Sequence, residues 1–364
     1  HNFRARRWWH AMAPRAEHGI IPIERFAPER ALAASRAVYR ERHATRRLMW
    51  ESVELRAHAV IRGCDCWPIV REQLAGIALL QFPWSARAMD EAAAALDAVA
   101  PAAAVTYAEA GGWGRALALE CRRRGIPLAG LQHGFIYRHW LNYRHEADET
   151  APDPGNATDA GFPFPAATLL FDEHAARHLT SAGCFPPPSL AVTGSARLDE
   201  LAAAMRAITA ADIEAVRRSS VVDGDAAIVL FAGKEREARR ALPALIAAVR
   251  AMPGVHLVIK PHPAETPEVY RAVTAGARNV HVAPTGAALP ALLAAARAVV
   301  TVNSTVAIDA LAFGRPSVVI GLPNNLTPFV EAGLMLGAGT ADEIRAALSK
   351  VLFDQEFRSR VGGE

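Results

Sequence analysis

The stretch AVVTVNSTVAIDALAFGRPSVVIG, residues 298–321, contains a whole strand-helix-strand unit. AVVTVN is a short apolar, β-branched run that reads as a strand, and it ends at Asn303. Ser304 and Thr305 then offer the small hydroxyl side chains that begin helices, and residues 305–313 follow with helical spacing. Gly314 stops that helix, Arg315-Pro316 turns the chain, and SVVIG is a second strand. Short apolar runs alternating with amphipathic helices mark β-α-β units around a parallel sheet.

The same texture extends in both directions. Towards the N-terminus, AAIVLFAGK (226–234), VHLVIK (255–260) and NVHVA (279–283) read as strands, with helices over 238–251, 267–275 and 287–296. Further back, GIALLQF (76–82), AAAVTY (102–107), LAGLQ (128–132), ATLLF (167–171) and LAVTG (190–194) read as strands. Helices are expected over 86–100, over 114–124 with Gly125 at C′, over 172–182 ended by Gly183, and from about Asp199 to Ser220. Residues 142–165 are polar and rich in Pro, Gly and Asp, a long loop of the kind that carries function or is disordered. The expected class is α/β: two Rossmann-like domains with parallel sheets facing a central cleft, plus a helical N-terminal arm. The boundaries are 1–62 for the arm, 63–210 for the first domain, 222–350 for the second and 351–364 for a tail. No short repeat is present.

A chain of 364 residues with 51% apolar residues suits two packed domains. No run of roughly 18 uncharged apolar residues occurs, so no membrane-spanning helix is expected. The opening HNFRARRWWHAMAPR lacks the apolar core of a signal peptide. Because the chain begins at His1, it is expected to be a fragment of a longer one. Cys64, Cys66, Cys121 and Cys184 are too irregular for a disulfide framework, and Cys-Asp-Cys has no second pair to complete a zinc site. Reduced thiols and a cytoplasmic location are expected. Net charge is +3, but residues 1–62 hold 13 arginines against 6 glutamates, with Trp8, Trp9 and Trp50 among them. Such an arm either lies on an anionic surface, which would place the protein peripherally on the inner membrane face, or is a solvated helix packed by its tryptophans.

In open parallel sheets ligands sit off the carboxyl ends of the strands, so residues just after strands are the candidates for chemistry. Asn303, Ser304 and Thr305 end one strand where a helix begins, and hydroxyls, exposed amides and helix dipole suit phosphate oxygens there. Asp309, one turn on, is placed to reach a ribose hydroxyl or is a solvated residue. In VIKPHPAE (258–265) each proline holds the residue before it extended, so Lys260 and His262 leave the strand with little backbone freedom. Thr266 and Pro267 start a helix just beyond. Lys234 follows the strand 226–233, and Gly194 permits close backbone approach after LAVTG or is a plain turn. In the first half, Glu109 precedes Gly111-Gly112 and suits a general base, with His133 after LAGLQ as the lesser candidate. His139 and His145 are poorly spaced for one metal, and no metal site is expected. Walker, GxGxxG and GxSxG motifs are absent.

KPHP in the second half, followed about forty residues later by NSTVAIDALAFGRP, resembles the bacterial GT-B glycosyltransferases of surface-polysaccharide synthesis. The similarity is greatest to the capsule and lipopolysaccharide group of sialyl-, polysialyl- and Kdo-transferases, with CDP-glycerol glycerophosphotransferases as relatives. QHG at 132–134, VTGSARLD at 192–199 and EAGGWGRAL at 109–117 look like this group too. The resemblance implies that His262-Pro263 and Ser304-Thr305 contact the donor nucleotide phosphate. Sialyltransferase members carry an acidic pair before a glycine as base, whereas here Glu109 stands alone.

The implied function is metal-independent transfer of a sugar from a nucleotide donor, CMP-linked acid sugar or UDP-sugar, to a saccharide or lipid-linked acceptor. The donor is a co-substrate, and neither a cofactor nor a nucleic-acid partner is expected. Two rivals stand beside it. A UDP-N-acetylglucosamine 2-epimerase type would need more acidic residues than Asp309 in the helix after Ser304. A non-catalytic nucleotide-binding module of a polysaccharide assembly protein is the other.

Overall fold

A computed structural model of the chain describes residues 19, 21–107, 109–136, 140–151, 161–222, 224–262, 265–274, 276–284 and 286–362. The chain divides into two compact units, His1–Gly194 and Ser195–Glu364.

The first unit begins with helices. Ala33–Glu51 and Val53–His58 precede a small antiparallel hairpin, β1 (Val60–Ile61) and β2 (Cys64–Asp65). Trp67–Gly76, a π-helical turn over Ile77–Gln81, and Phe82–Val99 then run on continuously. GIALLQF, expected as a strand, is therefore helical. A short apolar run has no period of its own, and here helices on both sides and the packed helix Ala33–Glu51 decide it. The π turn, closed by the Phe82 N–H donating to the Ile77 carbonyl, widens the helix just before Pro83. A proline there would otherwise press on the carbonyl of the preceding turn.

Four parallel strands follow in simple order: β3 (Ala104–Tyr107), β4 (Leu128–Leu131), β5 (Ala167–Leu170) and β6 (Leu190–Val192). Helix Gly112–Arg123 packs Ala118 and Cys121 with Leu96 and Leu128, while Ile136, Tyr143, Leu170, Leu179 and Phe185 form a second cluster. Helix Glu173–Ser181 ends near Gly183, but the left-handed residue is Cys184, with φ 50°. Gly183 has a different reason to be glycine: a Cβ there would lie 2.6 Å from the Tyr143 carbonyl oxygen. In the long loop, Ala147–Thr150 is a helical turn, and residues 152–160 lie outside the described residues.

The second unit opens with helices Ala196–Ala207 and Ala210–Ser219. Its sheet has six parallel strands: β7 (Ala227–Ala232), β8 (Val255–Lys260), β9 (Val280–Val282), β10 (Ala298–Thr301), β11 (Ser317–Ile320) and β12 (Leu336–Ala338). The spatial order is β12-β11-β10-β7-β8-β9. Helices Glu235–Arg250 and Ala341–Phe353 bury one face, and Leu292 and Leu293 of helix Leu289–Ala295 help bury the other. Every residue of β7 is buried, as expected for a central strand. The chain builds outward from β7 to β9, then returns to lay β10 on the other side of β7. That reversal is a topological switch point of Rossmann type, and it opens a crevice between the carboxyl ends of β7 and β10. Gln355–Gly362, expected as tail, is a helix that buries Phe357 in the core.

The α/β class with two parallel sheets and a helical N-terminal region holds. Residues 1–18 of the arm, with Trp8 and Trp9, lie outside the described residues. Among the described residues no helix is long and apolar enough to cross a membrane.

Candidate functional site

At the switch point the second unit has a cavity of about 280 Å³ lined by Gly233, Lys234, Glu237, Lys260, Pro261, His262, Asn303, Ser304 and Thr305. Three strand ends supply these residues. The register pairs Ala232 with Lys260, so the residues leaving β7 and β8 emerge together.

Thr301, buried at the end of β10, ties the third strand end to the first. Its hydroxyl donates to the Ala232 carbonyl oxygen at 2.6 Å and accepts from the Ser304 N–H at 3.0 Å. Ser304 in turn caps the short helix Val306–Ala312, its Oγ accepting from the Val306 N–H at 3.3 Å, while its carbonyl accepts from Ala307 N–H. The first helix amides are thus partly used within the chain, and the hydroxyl and amide side chains of residues 303–305 are what line the cavity. Asn303 Oδ1 is buried without a hydrogen-bond partner, an acceptor that a ligand donor would satisfy.

Glu265 holds the other two strand ends. Its N–H donates to the His262 carbonyl at 2.8 Å, closing a turn that fixes the His262 backbone. Its carboxylate accepts from the Glu235 N–H at 3.0 and 3.1 Å and from the Tyr270 hydroxyl at 2.7 Å. Lys234, at the N-cap of helix Glu235–Arg250, makes no side-chain cap, so Glu265 supplies the anion at that helix start from another loop. The Tyr270 hydroxyl also reaches the Gly233 carbonyl at 3.2 Å. Lys260 is half-buried, and burial lowers its pKa from the usual lysine value, a penalty that an anion in the cavity would offset. Pro263 lies outside the described residues.

Lys234, Lys260, His262, Asn303, Ser304 and Thr305 therefore share one cavity. Asp309 does not join them: it is 1% exposed, and its two oxygens accept from the Arg197 guanidinium at 3.0 and 2.7 Å. That bidentate pair gives Asp309 a partner other than a ribose, because its helix turns it inward. Gly194 has φ +80°, a Cβ there would meet nothing within 4 Å, and it belongs to the first unit.

Glu109 and His133 also lie in the first unit. Glu109 is fully buried beneath two glycines: a Cβ at Gly114 would lie 2.4 Å from the Glu109 Cα, and one at Gly130 would lie 3.0 Å from its Cγ. The Tyr143 hydroxyl and the Arg115 guanidinium are its polar neighbours, but neither carboxylate oxygen has a well-aligned hydrogen bond. Burial pushes the carboxyl above its usual range. In this position its side chain is sealed from solvent. His133 lies edge-on between Tyr107 and Trp140, with ring centroids 5.5 and 4.9 Å away, and burial lowers its pKa. His139 lies outside the described residues. Among the described residues no group of three or more His, Cys, Asp or Glu is placed to hold a metal ion.

Thr301, Glu265 and Tyr270 escaped the sequence reading, although Glu265 ends the VIKPHPAE stretch. Its spacing of three residues from His262 was the available signal.

Two α/β units, each with a parallel sheet, and a polar cavity at the switch point of the second define a GT-B-like fold. Residues 205–328, which include every residue lining that cavity, match the family model described as capsule polysaccharide biosynthesis protein. Among solved structures, the UDP-GlcNAc 2-epimerase from Neisseria meningitidis bound to UDP-GlcNAc is 15% identical with a TM-score of 0.57, over 78% of this chain and 76% of that one. S. aureus MnaA with UDP is 16% identical with a TM-score of 0.56, over 77% and 74%. The UDP-GlcNAc 2-epimerase from Methanocaldococcus jannaschii is 15% identical with a TM-score of 0.53, over 75% and 76%. At such identities the likeness is one of fold. No curated protein matches the chain.

Proposed function

We propose that the protein is a glycosyltransferase of surface-polysaccharide synthesis, moving a sugar from a nucleotide-activated donor to a saccharide or lipid-linked acceptor. A CMP-linked acid sugar is the favoured donor and a UDP-sugar the second choice. The observation that carries this reading is the cavity joining Lys234, Lys260 and His262 to the hydroxyls of Ser304 and Thr305 at the switch point. The match of residues 205–328 to the capsule family supports the polysaccharide context.

In this mechanism the bond from the anomeric carbon to the donor phosphate oxygen breaks, and the electron pair stays on the phosphate. The lysines and His262 donate to that oxyanion, stabilising charge as it develops. The acceptor oxygen bonds the anomeric carbon and gives its proton to a base, for which Glu109 and then His133 are the candidates. No metal or cofactor enters the reading. Peripheral attachment to an anionic membrane through the basic arm belongs to it as well: in helix Ala33–Glu51, Tyr39 and Leu48 are exposed among arginines.

The test is to incubate the protein with CMP- and UDP-sugars, with and without acceptor, beside His262→Ala. Acceptor-dependent release of CMP or UDP, with nucleotide affinity falling about tenfold or more in the variant, is the expected result. Free UDP with a C2-epimerised sugar would identify an epimerase instead, and binding without turnover a non-catalytic module.

A further inference from the structure

A second polar cavity, of about 560 Å³, lies at the opposite end of the second unit's sheet, where Arg297 precedes β10 and Gly314 precedes β11. Arg297, Arg358, Gln355 and Ser359 supply its polar lining, and Phe353, 59% exposed, supplies an apolar wall. Among the described residues no carboxylate lines it. Arg315 sits immediately behind Gly314, half-buried, with Nη2 donating to the Ala294 carbonyl at 3.2 Å and Nε lacking any partner. Burial lowers its pKa, and the neighbouring cation Arg358 lowers it further. The Arg358 guanidinium donates a long bond, 3.4 Å, to the Leu352 carbonyl. Of the two acids close by in sequence, Asp354 is engaged, its Oδ1 accepting from the Phe357 N–H at 2.9 Å, and Glu356 is exposed and does not line the cavity.

Like charges that converge on a partly desolvated pocket destabilise one another unless an anion joins them. The guanidinium fork matches the oxygens of a phosphate, and Ser359 and Gln355 add neutral hydrogen-bonding groups beside it. We propose that this cavity is a binding site for a phosphate monoester, with Arg297 and Arg358 contacting the phosphate and the body of the ligand lying on Phe353. β10 separates it from the nucleotide cavity by the length of a four-residue strand, roughly 13 Å. The site is therefore separate from the one proposed to hold the sugar donor, and it stands whether or not the protein is a transferase.

The experiment titrates inorganic phosphate into the full chain by calorimetry at constant ionic strength, using the parent, Lys260→Ala and Arg297→Gln/Arg358→Gln. Expected is phosphate binding that survives Lys260→Ala and weakens by about tenfold or more in the double variant. Without phosphate, the double variant should melt at or above the parent temperature, because repulsion has been removed. If that variant fails to fold, Arg358→Gln alone carries the same comparison. Absence of phosphate binding in the parent, or binding lost in Lys260→Ala and kept in the double variant, overturns the proposal. Flotation with phosphatidylcholine vesicles, with and without phosphatidic acid, separates the sources. Capture that requires both phosphatidic acid and the two arginines marks a lipid phosphate. Phosphate binding with no arginine-dependent capture marks a soluble one.

Discussion

Replacing Glu265 tests whether the nucleotide cavity is preorganised by the chain itself. Glu265→Ala removes the acceptor of the Tyr270 hydroxyl and of the first N–H of helix Glu235–Arg250. Tyr270 is 1% exposed, and stranding a buried donor costs about 1–3 kcal/mol. Loss of the anion at the helix start adds about 0.5 kcal/mol or more. The Gly233 carbonyl, 3.2 Å from the same hydroxyl, remains as a partial substitute. A total near 2 kcal/mol follows, which for a unit the size of Ser195–Glu364 lowers the melting temperature by about 4–8 °C. Glu265→Gln keeps an oxygen acceptor and the side-chain shape, so it should lose less than half of that. Because the same carboxylate joins the loops bearing Lys234 and His262, affinity for CMP or UDP should fall in the same order, Ala more than Gln. Thermal melts and calorimetric titration of the three proteins give both quantities. An alanine variant that melts within a degree of the parent and binds nucleotide equally well would refute the clamp. Failure of the parent to bind any nucleotide would instead refute the function.

Gly114→Ala should destabilise the first unit by about 2 kcal/mol or more, since the new Cβ would meet Glu109 backbone atoms at 2.4–2.7 Å, whereas Gly112→Ala should be tolerated, its nearest contact being Ser85 Oγ at 3.9 Å. Denaturant melts of the two variants make that comparison, and equal stabilities would count against the packing. His145, buried among Phe162, Phe164 and Phe185, has its pKa pushed down to about 4 by burial and then by Arg115. Its folded pKa lies below the unfolded one, so its stabilising contribution is complete above about pH 6.5 and falls as pH drops towards 4, by about 3 kcal/mol in all. Melts of the parent and His145→Phe between pH 7 and 4 should differ by that slope, and parallel curves would exclude it.

The parallel sheets were legible because buried strands are short apolar runs set between amphipathic helices. GIALLQF was misread for the same reason: a seven-residue apolar run looks alike whether it pairs with a strand or packs between helices. The cavity residues were legible because Lys234, Lys260, His262 and Asn303 to Thr305 each end or follow a strand, and a parallel sheet brings such positions to one edge. What joins them was hidden. Thr301 looks like any strand threonine until β7 lies beside it, and the sequence does not reveal that Asp309 is claimed by Arg197, 112 residues earlier. Order along the chain identifies which residues reach the sheet edge, whereas side-chain pairing depends on distances set only after folding.

Two carboxylates near strand ends show how that difference bears on chemistry. Glu265 is surrounded by donors and serves as a fixed anion. Glu109 has the Tyr143 hydroxyl and the Arg115 guanidinium nearby but no well-aligned hydrogen bond to either oxygen, so burial outweighs them and its pKa is raised. A carboxyl raised in this way stabilises the fold fully below about pH 4.5, and the contribution is lost as pH rises through the folded pKa. Glu109→Gln supplies a neutral side chain of the same shape at every pH. The variant should therefore lose that slope and match or exceed the parent's stability at pH 8. If Glu109 also takes the acceptor proton, the same substitution should lower transfer by about 10²–10⁴-fold while leaving nucleotide affinity unchanged. A stable variant with normal turnover refutes the base and leaves Glu109 as a packing residue under Gly114 and Gly130. A stable variant that binds nucleotide but does not transfer makes the raised pKa functional, and requires the first unit to open a path to a side chain that is sealed in the present structure.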